Sequence, residues 1–138
     1  MDVYEKAIAD SINKIAGKDI YFNACEIIEL DDDTASDIVG ELVSWACQPT
    51  NIMPITIARD CLKQFPEQWV SPKIKQTAHR YIDISDDWDY RRLLELCRLI
   101  SPQLLKWALG LGEKSENPDI TEAVDDFKEI LQAMSEQE

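Results

Sequence analysis

The chain has 138 residues, 45% of them hydrophobic and 30% charged, with 27 acidic against 14 basic side chains and a formal net charge of −13. That length fits one domain of ordinary size, and the apolar share is enough to build a core, which excludes a disordered chain. A polyanion of this kind repels phosphate backbones and anionic membranes and attracts cationic surfaces, so nucleic acid and membrane are excluded as partners and a basic protein is favoured.

The acidic surplus is uneven along the chain. Residues 1–58 carry 11 acids and 3 bases, residues 59–106 carry 7 and 9, and residues 107–138 carry 9 and 2, so the segment charges are −8, +2 and −7. The opening Met-Asp-Val-Tyr-Glu-Lys lacks the basic and apolar regions of a signal peptide, and no apolar run approaches the ~18–20 residues that cross a bilayer. The expectation is a soluble, cytoplasmic protein. Cys25, Cys47, Cys61 and Cys97 each lie on or beside an apolar stripe with no C-x-x-C pair, as small buried hydrophobes in a reducing compartment would.

Helical periodicity runs from end to end. Tyr4, Ile8, Ile12 and Ile15 line one face and Gly17 follows as a left-handed stop, which predicts a helix over residues 2–16. A short second helix starts near Asn23, where Asn23 and Glu26 make a capping pair and Phe22 and Ile27 a hydrophobic staple; Ile20 to Phe22 reads alternatively as a stray extended piece. The third helix covers 34–48. It opens behind Asp31-Asp32-Asp33, carries Ile38, Leu42 and Trp45 on one stripe, and stops before Pro49. A fourth covers 54–65, with Ala58, Cys61, Leu62 and Phe65 at helical spacing and Pro66 as terminator.

One device then recurs. Ser71-Pro72-Lys73-Ile74, Ser101-Pro102-Gln103-Leu104 and Asn117-Pro118-Asp119-Ile120 each place a capping side chain before a proline at the first helical position, and each is expected to open a helix. Between the first two, Ser85-Asp86-Asp87 caps a helix whose Tyr90, Leu93, Leu94, Cys97 and Ile100 point one way. The last helix carries Ile120, Ala123, Val124, Phe127, Ile130, Leu131 and Met134. Seven or eight helices joined by short loops make an all-α fold, either a compact bundle or a short stack of helical hairpins, in a single domain over 1–138.

No reaction motif stands out. Asp31-Asp32-Asp33 begins like a calcium loop, but Ser36 and Leu42 occupy the positions that need Gly and Glu, and a loop started at Asp83 meets Trp88 and Leu94 there. The acidic clusters read instead as helix caps and surface charge, with a partner surface as the functional alternative. His79, the only histidine, has no ligand at zinc spacing and reads as a surface residue. The four glycines build neither a phosphate loop nor a nucleophile elbow, and Gly110 and Gly112 are expected to stop a helix. No metal, cofactor or catalytic residue is assigned.

Trp45 and Trp107 fall on apolar stripes and are expected in the core, whereas Trp69 is placed in the turn from Pro66 to Ser71. Trp88 stands between Asp87 and Asp89, where an aromatic ringed by carboxylates suits a hot spot for a basic partner. Arg91 and Arg98, one heptad apart, are expected to pair within their own helix with Asp87 or Glu95.

The segments Asp-Tyr-Arg-Arg-Leu-Leu-Glu-Leu at 89–96 and Asn-Pro-Asp-Ile-Thr-Glu-Ala-Val-Asp-Asp-Phe at 117–127 resemble pieces of HEAT-like repeats, in the C-terminal half of the chain. With its size and acidity the chain resembles the helical immunity proteins of bacterial toxin–immunity systems, whose targets are often basic nucleases. That resemblance implies a non-catalytic inhibitor acting by stoichiometric binding of a basic toxin domain; it carries no site residue over. The charge pattern itself nominates Asp31, Asp32, Asp33, Asp37, Asp86, Asp87 and Asp89 as partner-binding, with Trp88 as anchor. The alternatives are an adaptor or chaperone-like interaction module, or an enzyme with an unfamiliar helical site. The oligomeric state stays open.

Overall fold

Eight helices succeed one another along residues 2–20, 22–48 and 50–136, which the computed structural model describes: α1 (Val3–Ala16), α2 (Ala24–Ile28), α3 (Asp32–Ala46), α4 (Ile52–Lys63), α5 (Glu67–Tyr81), α6 (Asp87–Ile100), α7 (Pro102–Gly112) and α8 (Pro118–Glu136). No strand occurs among the described residues, so the fold is all-α, as the periodicity predicts. Tyr21, inside the possible extended piece, and Pro49, the expected stop of the third helix, lie outside the described residues. α3 ends at Ala46 with Cys47 as its cap.

Local side chains set most helix starts. Backbone amides two or three residues on donate to Asp2 (2.7 Å), Asn23 (3.2 Å), Asp31 (3.1 Å), Ser101 (3.1 Å) and Asn117 (2.9 Å), and Asp86 takes two, from Trp88 (2.9 Å) and Asp89 (3.1 Å). Each such cap contributes about 1 kcal/mol against alanine. α1 ends at Gly17, whose φ of 74° is a left-handed stop, with its amide on the Asn13 carbonyl.

α5 departs from expectation. It begins at Glu67, directly after Pro66, so Ser71-Pro72 does not open a helix and Trp69 lies in its first turn rather than in a loop. Pro72 gives no amide to the carbonyl four residues back, a local cost. It is outweighed by burial of Val70 and Ile74, and by the Trp69 ring stacked on Phe65 at 4.8 Å between centroids.

Packing follows chain order. α3 lies at the centre of the first part, touching α1, α2, α4, α5 and α6, while α6, α7 and α8 pack on one another, and α6 joins the two groups through α3 and α4. Every helix pair in substantial contact is within three steps along the chain, the pattern of a short stack. Buried side chains from Ile8 to Phe127 form one cluster, each fully buried Leu or Ile contributing about 1.5–3 kcal/mol. Trp45 and Trp107 border it, half-buried.

α3 and α5 run in the same direction. Asp32 meets Lys73, Asp37 meets Arg80, and the Tyr81 ring crosses Gly40, where any Cβ would collide with it. Gly112 has the same role between α7 and α6, because the buried Tyr90 ring occupies the space of its missing side chain. α7 ends at Gly112 with Gly110 in its last turn, and neither glycine has the positive φ of a left-handed stop. Cys47, Cys61 and Cys97 are buried as expected, but Cys25 is exposed.

Candidate functional site

α3 and the turn from α5 into α6 place the nominated residues. Asp31 is committed to its helix start, and the Thr34 hydroxyl and amide hold its carboxyl below the usual range. Asp32 pairs with Lys73 at 2.6 Å, and the same ammonium sits 4.7 Å from the Trp69 ring centre, so the lysine is buried and fully engaged. Asp37 pairs with Arg80 at 3.2 Å. Asp33, on the exposed side of α3, has no side-chain partner among the described residues.

At the second cluster Asp86 caps α6. Asp89 accepts the Asp83 amide at 3.2 Å, and burial raises its carboxyl above the usual range. Asp83 accepts the hydroxyl and amide of Ser85, which pull its carboxyl down. Asp87 is half-buried and Trp88 is 57% exposed, and neither side chain has a polar partner among the described residues.

Two open grooves bring the clusters together. One is lined by Asp32, Asp33, Ser36, Asp37, Gln76, Thr77 and Arg80; the next is lined by His79, Arg80, Tyr81, Ile82, Asp83, Ile84, Ser85 and Asp89. Arg80 is the wall between them, so the two acidic sets share one side of the molecule across a single guanidinium. Asp31, Asp86, Asp87 and Trp88 line neither groove. The acidic surplus is not confined to this side, however: Asp119, Glu122, Asp125 and Glu129 are all exposed on α8.

The arginines pair differently from expectation. Arg91 reaches across to Asp126 of α8 at 3.2 Å, while Glu95 receives Arg92 at 2.9 Å and Arg59 of α4 at 3.0 Å. Arg59 and Lys73 were invisible as site-framing residues in the sequence, since their partners stand 36 and 41 positions away.

Chemically, the arrangement offers carboxylates to cations. Exposed His79 has neither a nucleophile nor an orienting carboxylate bonded to it among the described residues. Among the described residues no three His, Cys, Asp or Glu side chains converge as a metal ion would require, and no helix is long and apolar enough to cross a membrane. No protein-family model, curated protein or solved structure matches the chain.

Proposed function

We propose that this chain is a non-catalytic inhibitor of the immunity-protein kind, neutralising a basic toxin domain by stoichiometric binding. The observation that carries the reading is the adjacency of the α3 carboxylates and the α5–α6 carboxylates along two grooves that share Arg80. Asp33 supplies an uncommitted charge at the rim of the first groove. Asp87 and the exposed Trp88 supply a charge and an anchor beyond the second. A nuclease cleft lined with lysine and arginine to attract phosphate is the complementary surface, and a net −13 accelerates the encounter.

The test is association with a basic, nuclease-type toxin domain, sought first in the product of the gene next to this protein's own. The rate constant is expected to fall at least tenfold between roughly 50 and 500 mM salt. Reversing Asp33 together with Asp87 should slow association several-fold, while reversing Glu122 together with Glu129 on α8 should leave it near the wild-type value. A salt-indifferent rate, or a larger effect from the α8 pair, would reject this surface. An adaptor reading draws on a different patch, Ile52 and Met53 at the start of α4, which are 59% and 50% exposed.

A further inference from the structure

The outer face of α6 carries two exposed apolar side chains among basic ones. At about 100° per residue, Trp88, Glu95 and Leu99 fall within a narrow arc, with Arg92 on one flank and Arg91 and Arg98 on the other. Trp88 is 57% and Leu99 44% exposed, and the eleven residue steps from one to the other span about 16 Å of helix. Neither side chain lines the grooves described above.

The order of residues on this face is self-complementary. In the antiparallel register that sets Trp88 opposite Leu99, Arg92 stands opposite Glu95, and Asp87 lies about two residues, or ~3 Å along the axis, from Arg98 on the same flank. An isologous two-fold contact needs this property, since whatever residue i meets on its partner must meet i in return. Asp87 and Arg98 have no ion-pair partner among the described residues, so both charges remain available. The Arg59–Glu95–Arg92 cluster lies at the middle of the strip, already paired within the molecule.

We infer that the protein forms a two-fold dimer through antiparallel pairing of α6 with α6 of a second copy. A single helix pair with one tryptophan and one leucine from each side lies at the small end of specific interfaces, so the dimer is weak, with a dissociation constant on the order of tens of micromolar. Two bodies of charge −13 repel strongly when the screening length is about 30 Å, near 10 mM salt, and little at about 8 Å, near 150 mM. Self-association therefore strengthens with salt, the opposite of the sign proposed for toxin binding. It needs no toxin, so either reading can fail alone. Because Trp88 serves both contacts, the dimer masks the anchor until a tighter partner displaces the second copy.

Sedimentation velocity on the full chain, from about 5 to 500 µM in ~150 mM salt, should show a monomer–dimer equilibrium that shifts at least tenfold toward monomer near ~10 mM. Trp88→Asp and Leu99→Asp should each abolish it with unchanged helical circular dichroism. The decisive arm uses the charge pair. Asp87→Arg alone and Arg98→Asp alone each place like charges near one another and should dimerise several-fold more weakly, whereas an equimolar mixture should form a mixed dimer at wild-type strength or better. A sample monomeric throughout, or single variants that dimerise normally and gain nothing on mixing, would overturn the inference.

Discussion

Two glycines in one helix make a matched pair of opposite sign. A Cβ added at Gly112 would stand 2.5 Å from the Tyr90 hydroxyl oxygen and 2.6 Å from the ring carbon bearing it, whereas at Gly110 it would meet nothing within 4 Å. Both residues are helical with negative φ, so alanine at either position gains about 0.5–1 kcal/mol in helix propensity. At Gly110 that gain is the whole effect. At Gly112 the methyl must displace a ring that is fully buried and tethered, its hydroxyl donating to the Ala108 carbonyl at 2.7 Å.

Overpacking of that kind costs about 1–3 kcal/mol, and loss of the buried hydroxyl bond adds about 1–2 kcal/mol. After subtracting the propensity gain, Gly112→Ala should destabilise by about 2–4 kcal/mol. At roughly 3 °C per kcal/mol for a chain of this length, its Tm falls by about 6–12 °C, while that of Gly110→Ala rises by about 2–3 °C. Thermal unfolding by calorimetry reads both. Tyr90→Phe removes the nearest atom, so the double variant Tyr90→Phe, Gly112→Ala should lose less than the sum of the two single losses. If Gly112→Ala melts at or above the wild-type temperature, the close α6–α7 approach is wrong and the argument fails with it.

Further expectations concern single side chains. Asp32→Asn should cost under about 1 kcal/mol in urea unfolding because Asp32 is largely exposed, whereas Lys73→Ala should cost about 2 kcal/mol by also losing its buried stem and the Trp69 contact; equal losses would show that the ion pair alone matters. Asp31 and Asp83 have lowered folded values, so the stability they contribute is present above the ordinary 3.8 and lost as pH falls through the folded values. Asp89 has the reverse sign: its raised value means that protonation favours the folded state, so Asp89→Asn should raise the Tm at neutral pH and lose that advantage below about pH 4. A constant advantage across that range would refute the burial account. Burial pushes Cys47 and Cys61 up to about 12 and Cys97 upward as well, so a disulfide reagent near pH ~8 should titrate Cys25 alone in the folded protein and all four thiols in denaturant.

Features legible in the sequence act over three or four residues. Asn23 with Glu26, Asp86 with Asp89 and Ser101 with Leu104 are contacts in which cap and amide are near neighbours, so the letters alone locate the helix start. Gly17 reads correctly for the same reason, because a left-handed stop is a property of one residue. Ser71-Pro72 shows where that logic ends. It carries the same letters as Ser101-Pro102, yet Pro66 has already released a helix at Glu67, and the stacking of Trp69 on Phe65 keeps the turn in place. Gly112 is a second case: its meaning lies in Tyr90, which stands on another helix.

The candidate surface follows the same division. The sequence shows that Asp31–Asp33 and Asp86–Asp89 are acidic, but not that Asp31 and Asp86 are spent on capping, or that Asp32 and Asp37 answer Lys73 and Arg80 more than forty positions away. Internal neutralisation removes most of each cluster's capacity to meet a partner. That leaves Asp33 and Asp87, with Trp88 beside the latter, as the charges whose reversal tests the proposed binding without first unsettling a helix end. Charge density along the chain is therefore a poor guide to a binding surface; what counts is the carboxylate left over once caps and cross-helix pairs have taken theirs.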